Sequence, residues 1–236
     1  MRKILFISDL HLQASEPRIT EIFLQFLSGP ALEAEALYIL GDFFEAWIGD
    51  DDLSSYNLII INAIHQATKK GLPIYFMHGN RDFLIGKNFA RRTGISLLPD
   101  PTVIELFGVR TLLMHGDSLC TFDIKHQKAR RFTLNPCCQW LALRLPLWVR
   151  RRGGQWLRGK SRRRLHHTEN YIMDVNPEAV DKVMQSYQAQ QLIHGHTHRP
   201  AIHNLAHGKR IVLGSWHQAG SVLICTDQGN CELKSL

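Results

Sequence analysis

Five short clusters in this chain carry side chains able to hold divalent metals. They are Asp9-Leu10-His11, Gly41-Asp42, Gly79-Asn80-Arg81-Asp82, His115-Gly116-Asp117 and Gly195-His196-Thr197-His198. Asp, Asn and His supply mixed oxygen and nitrogen donors without thiolate. Such a set suits Mn²⁺, Fe or Zn²⁺, and one shared carboxylate can bridge two ions. A lone Asp-x-His or Gly-Asp turn is more often an ordinary loop than a ligand. Five of them, each closing an apolar run, are not coincidence. The other histidines do not share this setting. His65 falls on a helix, His203 and His207 in a late turn, and His126, His166 and His167 add polarity to a basic segment.

The elements that position these clusters read as strands. Positions 2–7, 36–40, 73–77, 110–114 and 191–193 are short apolar runs, and each leads into one cluster. Helical periodicity covers 16–27, 56–70 and 177–188, with Gly71 closing the second. A hairpin turns at Gly108, and the tail alternates strands and turns at 210–213, 221–225 and 230–233. In open α/β sheets ligands gather beyond the carboxyl ends of strands, so clusters distant in sequence converge there. The expected fold is a mixed α/β layered domain spanning 1–236, with an inserted helical lid at 124–170. Pro146 and Gly153-Gly154 are expected to divide the lid into two helices.

Composition narrows the class. With 236 residues, 44% apolar and 21% charged, the chain is neither disordered, collagen-like nor a disulfide miniprotein. The N-terminal apolar run stops at Ser8-Asp9, too short for a signal peptide. No run approaches the roughly 18 apolar residues of a membrane span. Five cysteines without a C-x-x-C, two of them vicinal at Cys137-Cys138, point to reduced thiols in the cytosol. Charge is uneven. Positions 124–168 hold thirteen basic residues and no acidic one, a charge of +13. The remaining fifteen basic residues face all 21 acidic ones, leaving −6.

In this order the clusters resemble the calcineurin-like metallophosphoesterases, whose pattern runs D-x-H, G-D-x-x-[DE], G-N-x-[DE], H and G-H-x-H. The counterparts are Asp9/His11, Gly41-Asp42-Phe43-Phe44-Glu45, Gly79-Asn80-Arg81-Asp82, His115 and Gly195-His196-Thr197-His198. The resemblance implies an α/β fold, a β-sandwich flanked by helices, with a two-metal centre at its edge. It implies Asp9, His11, Asp42 and His198 around a first metal. Asp42 as bridge, with Asn80, His115 and His196, would hold a second.

One residue departs from that pattern. Arg81 stands where a histidine commonly assists a poor leaving group. Arginine stays protonated, so it clamps phosphate but does not donate a proton. A leaving phosphate, with its last pKa near ~6, departs as an anion unaided, so Arg81 leans towards a diphosphate substrate. Longer motifs, such as Tyr38 to Asp51, His78 to Leu84, His115 to Thr121 and His194 to Pro200, resemble the UDP-2,3-diacylglucosamine hydrolase family. That resemblance implies hydrolysis of the pyrophosphate bond of UDP-2,3-diacylglucosamine in lipid A biosynthesis. Water activated by two Mn²⁺ would attack the α-phosphorus, giving UMP and 2,3-diacylglucosamine 1-phosphate (lipid X). Asp42, Asn80, Arg81 and His115 would serve catalysis, and Asn80, Arg81, Asp123, Ser161 and His196 would touch substrate. The lid departs from the family: Phe122 replaces an aspartate, and Leu165 and Thr168 stand where an Asn and a Lys touch substrate. Arg162, Arg163 or Arg164 are candidate substitutes.

The insertion mixes Trp140, Trp148 and Trp156 with its arginines and with Leu141, Leu143, Leu145 and Leu147. This suits a helix in the membrane interface, with Arg150, Arg151 and Arg152 among the residues that meet lipid phosphates. A solvated basic face or a nucleic-acid groove are the competing readings. A diacyl substrate favours lipid, so the expected place is the cytoplasmic face of the bacterial inner membrane, as a peripheral monomer with no nucleic-acid partner. Two other functions stay open: a phosphodiesterase or nuclease of the same superfamily, and a non-catalytic scaffold. The scaffold has no reason to keep all seven ligands.

Overall fold

Along β1 (Lys3–Ile7), Leu5 and Ile7 point to one face and Phe6 to the other, and all three are buried. The split recurs in β2 (Ala36–Leu40) and β3 (Ile74–Met77). Leu37, Ile39, Ile74 and Phe76 share one core with Leu5 and Ile7, whereas Leu40 and Met77 share another with Phe6. Strands buried on both faces read as continuous apolar runs, which is why these were legible in sequence. The computed structural model describes residues 1–165, 174–217 and 219–236, and side chains outside 160–165.

Two helices cover the first face. In α1 (Pro17–Ser28), Ile19, Phe23, Phe26 and Leu27 recur at helical spacing and are buried. In α2 (Ser55–Lys69), Ile60, Ile61 and Ile64 do the same, and Ser54 caps the first turn by accepting from Asn57 N–H at 3.3 Å. Truncating a chain such as Phe23 to alanine costs about 3–5 kcal/mol. The first sheet has order β11-β10-β1-β2-β3-β4, completed by β4 (Ser96–Leu98), β10 (Ser221–Thr226) and β11 (Cys231–Ser235). The second has order β5-β6-β7-β9-β8: β5 (Thr102–Leu106), β6 (Val109–Met114), β7 (Gln191–His194), β8 (Ala201–Leu205) and β9 (Gly208–Val212).

Phe6, Leu40 and Met77 of the first sheet meet Leu113, Ile193 and Ile211 of the second, so the sheets stack as a sandwich. On the far side Leu112, Met114 and Leu192 pack on Val180 and Met184 of α7 (Pro177–Ser186). The expected sandwich between helix layers is therefore present. β1, β2 and β3 run parallel, as do β6 and β7, and their carboxyl ends are level: Ile7 pairs with Ile39, Leu40 with Met77 and Met114 with His194. That common edge gathers the five polar clusters.

Several expectations need correction. Three elements carried too little pattern to be read: α3 (Lys87–Thr93), β4 and β8, the last placing His203 in a strand rather than a turn. Cys225 and Cys231 face each other across β10 and β11 and are joined as a disulfide, so the chain is not wholly reduced; Cys120, Cys137 and Cys138 are free. The described lid has three helices, not two: α4 (Ile124–Thr133), α5 (Pro136–Arg144) and α6 (Leu147–Leu165). Pro146 divides α5 from α6 as expected, and a further break falls before Pro136, where Asn135 Oδ1 accepts from Cys137 N–H at 2.9 Å and starts α5. Gly153-Gly154 stays inside α6, where Gly154 faces Ile48 so closely that a Cβ would stand 3.2 Å from its methyl.

The lid is turned inside out. Trp140, Trp148 and Trp156 are 58%, 64% and 64% exposed, whereas Arg150 is 8% exposed. Arg150 is bound to Asp51 and Arg151, itself still exposed, to Asp52, so both are paired with carboxylates of the body. Among the described residues no helix is long and apolar enough to cross a membrane.

Candidate metal centre

Each strand of the common edge ends in a sharp turn that swings its polar side chain inward. Asp9, His11, Asp42, His196 and His198 all adopt positive φ, between 49° and 68°. Non-glycine residues take this conformation rarely, and it clusters where surrounding structure enforces it for function. Backbone bonds do the enforcing. Asp9 N–H donates to Gly41 O at 3.1 Å, His11 N–H to Asp42 O at 3.0 Å, and Gly195 N–H to His115 O at 2.9 Å. His196 N–H donates to Asp9 Oδ2 at 2.9 Å and ties the two sheets together. Gly79 is required by space: a Cβ there would collide with the Asp42 backbone and carboxylate.

The inward side chains form two groups, each with ligand atoms within 4.8 Å of one another: Asp9, His11 and His198, and Asp42, His115 and His196. In the first, His11 Nε2 lies 3.3 Å from His198 Nε2, which lies 3.3 Å from Asp9 Oδ1. In the second, His115 Nε2 is 3.7 Å from Asp42 Oδ1 and 3.2 Å from Asn80 Oδ1. Buried oxygen and imidazole donors aimed at shared points fit divalent metals. Asp9 Oδ1 is itself a buried oxygen without a hydrogen-bond donor, as a ligand atom would be.

A second rank of residues orients the first. His115 donates Nδ1–H to Leu40 O at 2.9 Å, which leaves Nε2 as the lone pair facing Asp42 and Asn80. Glu45 Oε2 stands 3.1 Å from His11 Nδ1 and imposes the same choice there. Asp82, wholly buried, accepts from Phe43 N–H and Gly79 N–H, each at 2.7 Å, and so clamps the β2 and β3 turns together. Burial, with the Asp42 charge nearby, pushes the Asp82 carboxyl up to about 6.

The field is strongly cation-attracting. Burial alone would depress His115, but the carboxylates of Asp42, Asp117 and Asp9 outweigh it and raise it to about 9. Burial likewise acts against the Asp9 carboxylate, yet His198, His115 and His11 hold it well below the usual range. His196 moves the other way, pushed well below its ordinary value by burial and by His115.

All seven expected ligands thus come together. Arg81 sits beside them, its Nη1 3.9 Å from Glu45 Oε1 and its N–H donating to Asp42 Oδ1 at 2.9 Å. Asp123 caps α4 by accepting from His126 N–H at 2.9 Å, at the entrance to the lid. The Ser161 side chain, and with it those of Arg162, Arg163, Arg164 and Leu165, lies outside the described residues, as do Thr168, His166 and His167.

Some neighbours were not expected. His126 lies with its ring 5.3 Å from that of His196 and its Nε2 3.7 Å from Asp117 Oδ2, so it belongs to the centre's surroundings and does more than add polarity. His217 places its ring 5.4 Å from His198 and 6.4 Å from His11. Glu45 and Asp82 stand at the acidic positions that close two of the motifs, a signal that was available. His126 had no such signal.

Comparison with known proteins gives the family. Residues 2–200 match the calcineurin-like phosphoesterase family model. The chain is 53% identical over 239 residues to UDP-2,3-diacylglucosamine hydrolase of Coxiella burnetii (strain RSA 331 / Henzerling II), covering 100% of this chain and 98% of that one. It is 52% identical to the enzyme of that name from Enterobacter sp. (strain 638), covering 95% of each. Among solved structures, an archaeal phosphodiesterase superposes with a TM-score of 0.51 at 13% identity over 99% of both chains, a likeness of fold.

Proposed function

The chain belongs to the calcineurin-like phosphoesterase family and, within it, to the UDP-2,3-diacylglucosamine hydrolases, and we propose that its strand-end ligand groups are where the pyrophosphate bond of that lipid nucleotide is opened. It is a metal-dependent hydrolase of lipid A biosynthesis. The observation that carries this function is identity at 53% along the whole chain, lid included, to a hydrolase of that name.

Asp9, His11, Asp42 and His198 would hold one ion, and Asp42, Asn80, His115 and His196 the other, with Asp42 shared. Two Mn²⁺ bound there supply a nucleophilic water at neutral pH and withdraw charge from the phosphoryl oxygens. The chain's own groups do the rest. Leu40 O and Glu45 keep His115 and His11 in the ligating tautomer. Asn80 and Arg81 take the diphosphate, the guanidinium offering paired donors. The water oxygen joins the α-phosphorus, and the bond from that phosphorus to the bridging oxygen breaks. UMP keeps the new oxygen, and the sugar leaves as a 1-phosphate anion that needs no proton, consistent with Arg81 in place of an acid.

Asp123, which caps the first lid helix, would meet the substrate at the entrance to the lid, and the described lid helices would take the acyl chains. Trp140, Trp148 and Trp156 are exposed on that lid, which supports a peripheral monomer whose lid meets an anionic membrane at the cytoplasmic face of the inner membrane.

The test is hydrolysis of UDP-2,3-diacylglucosamine in detergent micelles, with Mn²⁺, in ¹⁸O-water. UMP carrying the label, and loss of the reaction in EDTA, is the expected result. Label in the lipid 1-phosphate would move the attack to the other phosphorus, and no Mn²⁺-dependent UMP would overturn the function.

A further inference from the structure

None of the described residues of α4, α5 or α6 belongs to any of the three apolar cores, and most of their large apolar side chains face outward, Leu147 and Val149 being half-buried. Apart from Gly154 against Ile48 and Leu143 near Gly49, the contacts that fasten the described part of the lid are polar. Their centre is Arg150, the one buried side chain among the described residues of these helices. It donates Nε–H to Leu145 O at 2.9 Å, Nη1–H to Ile48 O at 2.6 Å and to Asp51 Oδ1 at 2.7 Å, and Nη2–H to Asp51 Oδ2. Beside it Arg151 donates to Asp52 Oδ1 at 2.6 Å, and about two turns further on Arg158 donates to Gln13 Oε1 at 3.1 Å.

The accepting segment is not a neutral piece of surface. It continues the turn that begins at Asp42, carries Glu45 against His11, and is tied to Arg81 by Trp47 N–H donating to Arg81 O at 3.0 Å. Asp50, next to the acceptor, is fixed by donors from Trp47 Nε1, Gly86 N and Phe89 N at 2.9–3.0 Å. The lid is thus fastened to the rigid loop that also orients a metal ligand and the phosphate-binding arginine. A two-pronged guanidinium–carboxylate contact sets a direction and a register that an apolar contact, free to slide, does not.

We propose that Arg150 and Asp51 form a latch that positions α6 beside the metal centre, and that this latch governs use of the acylated substrate and not the chemistry of phosphorus. Arg150 is a positioning residue: it acts through the helix it holds. The substrate part of the inference rests on the function proposed above. The fastening itself does not.

Arg150→Ala, Arg150→Lys and Asp51→Asn are compared with wild type, all loaded with Mn²⁺. The expected result for Arg150→Ala is a KM for UDP-2,3-diacylglucosamine raised about tenfold or more, with kcat changed less than about threefold, the pattern of lost positioning. Hydrolysis of bis-p-nitrophenyl phosphate stays within about twofold of wild type, since its reaction needs only the strand-end groups. Lysine recovers part of the KM. Amide exchange in 147–159 accelerates, while β1, β2 and β6 stay protected. Unchanged KM, or equal loss on both substrates with a lower Tm, would overturn the latch. If wild type does not cleave the lipid nucleotide, the proposed function falls, and amide exchange alone decides: unchanged exchange in 147–159 then overturns the fastening.

Discussion

His11 Nε2 and His198 Nε2 face one another at 3.3 Å across 187 residues of sequence. His11 presents its other nitrogen to Glu45 Oε2 at 3.1 Å, and Asp9 Oδ1 lies 3.3 Å from His198 Nε2. Two imidazole nitrogens, paired by a hydrogen bond whose donor depends on the tautomer, and a carboxylate oxygen thus converge on one point. A divalent cation is what such a group accommodates.

Asp42→Ala should abolish turnover, by about a thousandfold or more if both ions are needed for the attacking water. Asp42 shares one ligand group with His115 and His196 and accepts the Arg81 N–H. Metal content by elemental analysis should fall with the rate. A variant that keeps both ions and a near-normal rate would remove Asp42 as the bridge.

Glu45→Gln should weaken Mn²⁺ binding by about 10–100-fold, because it no longer imposes the ligating tautomer on His11. Glu45 itself is expected to touch no substrate. Titration with Mn²⁺ monitored by activity should therefore shift to higher concentration, and saturating Mn²⁺ should restore most of the wild-type rate. Failure of rescue would give Glu45 a direct part in the reaction.

Arg81→His should not improve hydrolysis of a diphosphate. The departing phosphate needs no proton, and the lost charge costs affinity or rate, about tenfold or 1.4 kcal/mol. Steady-state kinetics on the lipid nucleotide decides it. A faster histidine variant would mean that protonation of the leaving group limits the reaction.

Thiol reactivity should divide the cysteines into three classes. Cys137 is exposed and Cys138 half-buried, so both should react with Ellman's reagent in the native protein at pH 8. Burial, reinforced by Asp117, Asp174 and Asp123, pushes the Cys120 thiol up to about 12, so almost no thiolate exists there. Cys120 should react only after unfolding, and Cys225 and Cys231 only after reduction as well. Four rapid thiols in the native protein would show the pair at Cys225 and Cys231 to be open.

Much of the fold is legible in the sequence. Leu5, Phe6 and Ile7, or Leu37 to Leu40, are apolar without interruption because both faces of those strands are covered, and that burial writes itself into composition. The ligands were readable for a related reason. A metal site accepts few residue types, and the turns after β1, β2, β3, β6 and β7 place them at fixed short spacings. Glu45 and Asp82 stood in the same motifs, three and two residues from Asp42 and Asn80.

The lid was readable as a basic, helical insertion but not in its contacts. Arg150, Arg151 and Arg152 are alike in sequence, and all three suggested a surface awaiting anionic lipid. The fold separates them, because Asp51 and Asp52, 99 residues away along the chain, meet Arg150 and Arg151 and turn two apparent membrane cations into fasteners. His126 is a parallel case, drawn against His196 by where α4 begins. The sequence by itself determined the ligand types, the strands that carry them and the basicity of the insertion, since each depends on neighbours within a few residues. Tertiary structure alone decided which charge meets which, because a charge pair depends on distance in space, and that distance is set by how the sheets and lid pack rather than by the residues next along the chain.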